Sequence, residues 1–191
     1  MKISVRFHDH IKSSFQRILQ EIIVPKVTIE IGVFEGDSTF NIVNYLIQEN
    51  PTYKHYAIDP FSQSENLKQE VVDKAKAQFK SNMVEFPQVE LIEKNSLEGL
   101  LELHNRNVKA DFIYVDGSHF AKDVLSDAVL GFELLNIGGV MLFDDAVSWR
   151  YGEYIQDSPK VAVDAFIQCN WNRLVVLEMP NGYQTAIKRV S

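Results

Sequence analysis

The chain has 191 residues and a net charge of -7, with 46% hydrophobic and 24% charged residues. These values are typical of one globular domain with a single core, and we expect one domain over residues 1–191. A membrane-spanning helix needs about 20 apolar residues, and no apolar run is that long. The excess of acidic residues disfavours binding to the phosphates of a nucleic acid. We therefore expect neither a membrane partner nor a nucleic-acid partner.

The single cysteine and the N-terminal residues indicate in which cellular compartment we expect the protein. Cys169 cannot form an intrachain disulfide, and its place in the apolar stretch 161–169 predicts a buried side chain. Residues 1–6 lack the apolar core and the cleavage site of a signal peptide. We expect a cytoplasmic protein.

Short apolar runs alternate with longer amphipathic ones along the chain. An amphipathic helix is predicted first, over 8–24, within an N-terminal helical extension of residues 1–25. Strands buried on both faces are then predicted at 27–31, 55–58, 89–92, 112–115 and 140–143. Helices are predicted between them at 38–48, 66–83, 96–103 and 121–135. This alternation indicates βαβ units and a parallel sheet with helices on both sides.

The C-terminal segment departs from this alternation. Two strand-like runs, 173–177 and 183–187, are separated by a segment that contains Asn181-Gly182, a strong hairpin signal. A dinucleotide-binding Rossmann domain would instead continue with a helix and a parallel strand. We therefore predict an α/β fold: a Rossmann-like, doubly wound, seven-stranded sheet, mostly parallel, with a C-terminal antiparallel hairpin.

Ligands of doubly wound sheets bind beyond the carboxyl ends of the strands, so polar residues at those ends are candidates for a site. Glu30, Gly32, Gly36 and Ser38 lie where the first strand passes into the first crossover helix. Their glycines allow a tight turn, and the helix start offers unpaired N–H groups. An ordinary strand-to-helix turn has a similar composition, and a full G-x-G-x-x-G is absent. Both interpretations stay open on these residues alone.

The second and third strands also end in polar residues. Asp59 precedes a proline and is placed to accept hydrogen bonds from ribose hydroxyls, or simply to begin a turn. Asn95 and Ser96 offer an amide and a hydroxyl to a ligand. A helix cap is the other role for this pair, and the two roles are compatible.

Three carboxylates follow the fourth and fifth strands, namely Asp116, Asp144 and Asp145. Carboxylates that converge at neighbouring strand ends repel one another unless a cation or hydrogen-bond donors lie between them. Oxygen ligands without cysteine suit Mg²⁺, and also Ca²⁺ or Mn²⁺. The alternative is that these residues cap loops and face water.

His119 lies three residues after Asp116, and histidine is a residue type suited to proton abstraction near neutral pH. The alternative is a surface or packing histidine.

The other histidines, at positions 8, 10, 55 and 104, have no comparable setting, and we assign them no chemistry. Residues Trp149, Arg150 and Tyr151 either line a substrate pocket or cover the edge of the core.

Taken in this order, these residues resemble the class I S-adenosylmethionine-dependent methyltransferases. The resemblance extends over about residues 28–187 and is strongest to the branch of catechol, caffeoyl-CoA and macrocin-type sugar O-methyltransferases. It implies that Glu30, Gly32 and Ser38 surround the methionine part of the cofactor. Asp59 would hold the ribose, and Asn95 and Ser96 would lie near the adenine.

The resemblance also implies that Asp116, Asp144 and Asp145 are Mg²⁺ ligands. His119 falls where catechol-type enzymes have a lysine base, and Asp145 falls where they usually have asparagine. The acidic pair Asp144-Asp145 is more similar to the macrocin-type branch. The identity of the base is therefore open between His119 and Asp116.

The function implied is S-adenosylmethionine-dependent, metal-assisted O-methylation of a small hydroxylated metabolite of the catechol or sugar diol type. Two alternatives are a nucleotide-dependent oxidoreductase on a Rossmann sheet and a non-catalytic binding module that retains the fold. Neither the acceptor nor the oligomeric state follows from the sequence, and a homo-oligomer is compatible with it.

Overall fold

The computed structural model describes residues 9–22, 24–63, 67–146, 158–180 and 182–191. Its strands are β1 (Val27–Ile31), β2 (Lys54–Ile58), β3 (Val89–Ile92), β4 (Ala110–Val115), β5 (Leu135–Phe143), β6 (Leu174–Leu177) and β7 (Thr185–Arg189). Its helices are α1 (Asp9–Ile18), α2 (Asp37–Glu49), α3 (Gln69–Met83), α4 (Ser96–Asn105), α5 (Ala121–Leu134) and α6 (Pro159–Cys169).

The strands form one seven-stranded sheet in the order β3-β2-β1-β4-β5-β7-β6. Neighbouring strands from β3 to β5 are parallel, whereas β7 runs antiparallel to both β5 and β6. The predicted fold class, with its C-terminal antiparallel hairpin, is confirmed. Gly182 has φ of 70° in the connection between β6 and β7, and Asn181 lies outside the described residues.

Two elements differ most in length from the sequence prediction. Helix α1 ends at Ile18, six residues before the predicted end, and β5 begins at Leu135 instead of residue 140. Glycine pairs usually interrupt a strand, but the pairing of β5 with β4 covers both Leu135 and the stretch after Gly139. A register shift in β4 between Ala110 and Phe112 accommodates this longer strand.

The two faces of the sheet bury different residues of each strand, because successive side chains of a strand point to opposite sides. Ile113 belongs to the core covered by α4, α5 and α6. Phe112 and Tyr114 belong to the core on the other face, which α1 and α2 cover. With both faces apolar and covered, the polar residues at the strand ends are left at the edge of the sheet.

Helix α6 was not predicted, although its buried residues Ala162, Val163 and Phe166 have helical spacing. The prediction for Cys169 was wrong, because this residue is exposed. It is the last residue of α6. Within the described ranges, no helix has the length and apolar character to cross a membrane.

Candidate active site at the carboxyl ends of the strands

The residues that follow β1, β2, β4 and β5 lie along one edge of the sheet. Each backbone N–H after a strand end donates to the last carbonyl of the neighbouring strand. The pairs are Gly32 to Ile58 at 2.9 Å, Asp59 to Ile92 at 3.2 Å, Asp116 to Ile31 at 2.9 Å and Asp144 to Val115 at 3.0 Å. The structure therefore brings the predicted residues of four strands to a common edge.

Gly32 allows the closest approach at this edge. Its φ is 83°, and an added Cβ would lie 2.1 Å from the carbonyl oxygen of Asp116. Gly36 also has φ of 83°, and a Cβ there would lie 2.8 Å from the ring of Phe79. Only glycine fits both the left-handed backbone and the space at these two positions.

Glu30 is completely buried under the turn that follows β1. Its carboxylate accepts hydrogen bonds from the hydroxyls of Ser38 and Thr39 and lies 3.1 Å from Nε2 of His55. The structure thus brings together Glu30 and Ser38, which were both predicted to be site residues between β1 and α2. Thr39 and His55 were not recognised in the sequence as partners of this group.

Asp59 binds the same turn from the next strand. Its Oδ2 accepts the N–H groups of Val33 and Phe34 at 3.0 and 3.1 Å, and its Oδ1 accepts the N–H of Phe61 at 2.8 Å. A carboxylate has about four acceptor positions, so three backbone bonds leave capacity for a ligand hydroxyl. Asp59 therefore holds the turn that follows β1 in place by hydrogen bonds. Its role in binding ribose stays a prediction.

Asn95 and Ser96 begin α4. The Asn95 side chain accepts the N–H of Glu98 at 2.9 Å and caps the helix. Ser96 faces Asp127 of α5. Burial raises the pKa of Asp127 to about 6, and the Ser96 hydroxyl opposes that rise. The helix-cap role of Asn95 is present, and contact with adenine stays a prediction for both residues.

The carboxylates of Asp116 and Asp144 have protein donors. The Tyr114 hydroxyl donates to Asp116 Oδ2 at 3.2 Å, and the Gln184 amide donates to Asp144 Oδ1. Burial, followed by the charges of Asp144 and Glu30, raises the pKa of Asp116 well above its usual range. Burial also raises the pKa of Asp144, against the effect of the Gln184 hydrogen bond. Burial and neighbouring carboxylates therefore both disfavour the charged forms of these two side chains.

Asp145 and His119 form a pair at the same edge. His119 Nε2 lies 3.4 Å from Asp145 Oδ2, and the His119 side chain is 42% exposed. Asp145 has φ of 49°, a left-handed backbone that is uncommon outside glycine. The pair combines an accessible imidazole with a largely buried carboxylate partner.

The predicted metal ligands share this edge, but the side chains are not drawn together as a metal centre. Among the residues that the structure describes, no three histidine, cysteine, aspartate or glutamate side chains are grouped in a way that could hold an ion. The Mg²⁺ site at Asp116, Asp144 and Asp145 stays a prediction.

Gln184 and Tyr114 were missed in the sequence. In the sequence Tyr114 has the pattern of a core residue of a strand, and Gln184 is a single polar residue near the last strand with no motif around it.

Trp149, Arg150 and Tyr151 lie outside the described residues. A cavity of about 190 Å³ between α1 and α2 is lined by none of the predicted site residues, so it does not mark this site.

A family model described as a methyltransferase domain matches residues 29–146, which is more than half of the chain. The chain therefore belongs to this methyltransferase domain family. The matched region runs from β1 to the end of the acidic pair, so it contains all the predicted site residues. The resemblance inferred from the motifs is confirmed.

Individual relatives agree with the family. Tapetum-specific methyltransferase 1 of Arabidopsis thaliana is 31% identical over 151 residues, which are 78% of this chain and 58% of that protein. The chain thus spans less than two thirds of the length of this relative.

Two solved structures share the fold. An O-methyltransferase from Bacillus cereus in complex with SAH is 19% identical with a TM-score of 0.67, over 97% of this chain and 83% of that one. TomG, an O-methyltransferase from Streptomyces achromogenes, is 16% identical with a TM-score of 0.69, over 98% and 82%. At such identities the likeness establishes the Rossmann-like fold.

Proposed function

We propose that this protein is an S-adenosylmethionine-dependent methyltransferase that methylates a hydroxyl group of a small metabolite. The observation that carries the proposal is the turn at Gly32, which lies against Asp116 within the region that matches the methyltransferase family. The donor and the reacting groups would then meet at the edge where β1 and β4 end. The SAH complex of the Bacillus cereus relative supports the choice of cofactor.

The cofactor would lie across the carboxyl ends of the strands, with its methionine part at β1, its ribose at β2 and its adenine at β3. Gly32, Gly36 and Ser38 would surround its methionine part above the buried Glu30, since a helix N-terminus such as that of α2 favours negative charge. Asp59 would accept ribose hydroxyls with its remaining acceptor positions. Asn95 and Ser96, at the start of α4, would lie beside the adenine.

Methyl transfer needs a base for the acceptor hydroxyl. His119 is the first candidate, because its imidazole is accessible and Asp145 would stabilise the imidazolium that forms. His119 would take the hydroxyl proton while the oxygen forms a bond to the sulfonium methyl carbon. The carbon–sulfur bond would break, and its electron pair would remain on S-adenosylhomocysteine. Asp116, whose pKa is raised by burial and by Asp144, is the second candidate.

We also propose Mg²⁺ as a cofactor, held by Asp116, Asp144 and Asp145. The donor set suits a hard cation. The raised pKa values of Asp116 and Asp144 come first from burial and, to a smaller extent, from neighbouring carboxylates whose negative charge a cation would offset. When bound, the ion would orient the acceptor hydroxyl and lower its pKa.

The acceptor class rests on coarser support. Two structural relatives are O-methyltransferases. The net charge of -7 disfavours a nucleic-acid substrate. A catechol and a sugar vicinal diol both present the adjacent hydroxyls that a carboxylate-bound cation would bind. Membership in the methyltransferase family disfavours the oxidoreductase alternative.

Calorimetric titration with S-adenosylhomocysteine and with NAD tests the cofactor. We expect binding of S-adenosylhomocysteine alone, and binding of NAD alone would contradict the proposal. Methyl transfer is then measured with catechol and sugar diol acceptors, with and without a chelator. Equal rates in excess chelator would remove Mg²⁺ from the mechanism. Cofactor binding without transfer to either acceptor class would favour a binding module.

The variant Asp144→Ala separates the metal from the cofactor. We expect it to abolish metal-dependent transfer while the affinity for S-adenosylhomocysteine changes little. A variant with unchanged transfer would contradict the assignment of Asp144.

A further inference from the structure

We infer that His55, which the proposed reaction does not use, is a positioning residue for the cofactor turn. It holds the carboxylate of Glu30, and Glu30 in turn holds the first turn of α2. The inference rests on the proposed function, because that turn is where the cofactor would bind. No chemistry was assigned to His55 from the sequence.

Strand register explains how the two residues meet. Thr28 and Glu30 lie on the same face of β1, since they are two residues apart. In the neighbouring strand His55 is opposite Thr28, and the small Ala57 is opposite Glu30. The imidazole therefore reaches the carboxylate over a position where no large side chain intervenes.

Both ring nitrogens of His55 have partners. Nε2 lies 3.1 Å from Glu30 Oε2, and Nδ1 lies 2.7 Å from Thr28 Oγ1 and 3.0 Å from the Tyr53 hydroxyl. A carboxylate only accepts, whereas a hydroxyl can donate. A neutral imidazole with its proton on Nε2 satisfies both sides, donating to Glu30 and accepting from a hydroxyl.

The same carboxylate reaches the cofactor turn. Glu30 Oε1 accepts from Ser38, and Oε2 accepts from Thr39 at 2.7 Å in addition to its contact with His55. Glu30, Thr39 and His55 have no exposed surface. In such a low-dielectric setting each hydrogen bond strengthens its neighbours, and loss of one donor leaves a buried charge less well satisfied.

Helix α2 begins after Gly36, its N-cap residue. Glycine has no side chain and cannot cap a helix as serine, threonine, aspartate or asparagine does, so the bonds to Glu30 are the side-chain anchors that the structure shows for this first turn. The hydroxyls of Ser38 and Thr39 are therefore held in place by their hydrogen bonds to the buried carboxylate of Glu30. The position of the first turn of α2 follows from that attachment, and so from His55.

The test compares two substitutions of His55. In His55→Gln the side-chain amide reaches about as far as Nε2 and still donates, whereas His55→Leu keeps bulk without a donor. We expect His55→Leu to bind S-adenosylhomocysteine at least tenfold more weakly than the unaltered protein, by calorimetric titration. We expect His55→Gln to stay within threefold. The matched control is Tyr53→Phe, which removes the hydroxyl on the far side of the imidazole and should lower the Tm with little change in affinity.

Several outcomes would overturn the inference. One is a His55→Leu variant with unaltered affinity and a lower Tm, which would show a role in stability alone. Another is a His55→Gln variant as weak as His55→Leu. If His55→Leu does not fold, Thr39→Val removes a donor to the same Glu30 oxygen at constant shape. We expect about a tenfold loss of affinity from it, and unaltered affinity would again overturn the inference.

A ligand-free measurement separates this inference from the proposed function. Lack of binding by the unaltered protein would count against the function. Independently, hydrogen exchange at the amides of residues 40–43, which make the first bonds of α2, should be faster in His55→Leu than in Tyr53→Phe. Equal exchange in the two variants would show that His55 does not hold the turn.

Discussion

The side-chain amide of Gln184 donates a hydrogen bond to the carboxylate of Asp144. The oxygen of the same amide accepts from the hydroxyl of Ser14, so one residue joins α1 to the acidic end of β5. Gln184 is only 3% exposed, and its two partners are far apart in the chain. The orientation of Asp144 is thus set by a residue just before β7 and, through it, by α1.

Loss of the Gln184 amide should impair the site. In Gln184→Leu, Asp144 loses a donor that favours its charged form, so its pKa should rise further. We expect kcat/KM to fall about tenfold, together with a loss of about 1–3 kcal/mol in the free energy of unfolding, typical of a buried acceptor without its partner. Steady-state kinetics and urea denaturation measure the two effects. Ser14→Ala is the control, because it removes the α1 contact and leaves the donor to Asp144 in place; an equal loss of activity there would contradict a role specific to Asp144.

Two glycines with nearly the same backbone separate strain from close approach. Gly32 and Gly138 have φ of 83° and 86°, but an added Cβ would lie 2.1 Å from the Asp116 carbonyl at Gly32 and meet nothing within 4 Å at Gly138. Gly138→Ala should therefore cost about 1–2 kcal/mol, the price of a left-handed residue. Gly32→Ala should be far more destabilising and should abolish cofactor binding, because β1 and β4 must move apart. Thermal denaturation and titration with S-adenosylhomocysteine check this, and comparable losses in the two variants would contradict the proposed contact.

His119 should matter for transfer and not for folding. We expect His119→Gln to lower kcat by about 10²–10⁴, the usual range for a general base, with the Tm nearly unchanged because the side chain is 42% exposed. His104→Gln, at the exposed end of α4, is the matched control and should retain full activity. A fully active His119→Gln would transfer the role of base to Asp116.

Asp127 should make the folded state less stable as the pH rises. Its pKa is raised from 3.8 to about 6 by burial, so the folded chain keeps a proton that the unfolded chain loses between these values. The unfolded state binds fewer protons in that window, so the free energy of unfolding falls as the pH rises from about 4 to about 6, by up to about 3 kcal/mol. Asp127→Asn should therefore be more stabilising at pH 8 than at pH 5 in urea denaturation.

The matched control for this effect is Asp73→Asn, on the exposed side of α3. We expect no pH-dependent gain from it. An Asp127→Asn variant whose effect on stability is the same at both pH values would contradict the raised pKa as the source of the change.

Periodicity predicted most of the fold because each strand and crossover helix carries its own local signal. β1 and β3 match their predicted bounds, and the hairpin of β6 and β7 follows from β-prone runs around a glycine turn. The signal failed where neighbours decide the structure. β5 begins at Leu135 because Leu135 pairs with Ala110 of β4, and Cys169 is exposed at the end of α6 although its helical spacing places it near the buried residues.

The sequence by itself determined the order of polar residues at the strand ends, and with it the methyltransferase family, because each of these residues follows a local strand signal. Only the tertiary structure decided their partners. Glu30 meets His55 through strand register, and Asp144 meets Gln184 across the antiparallel pair of β5 and β7. Such contacts join residues that are distant in the chain, so no local pattern of residues encodes them.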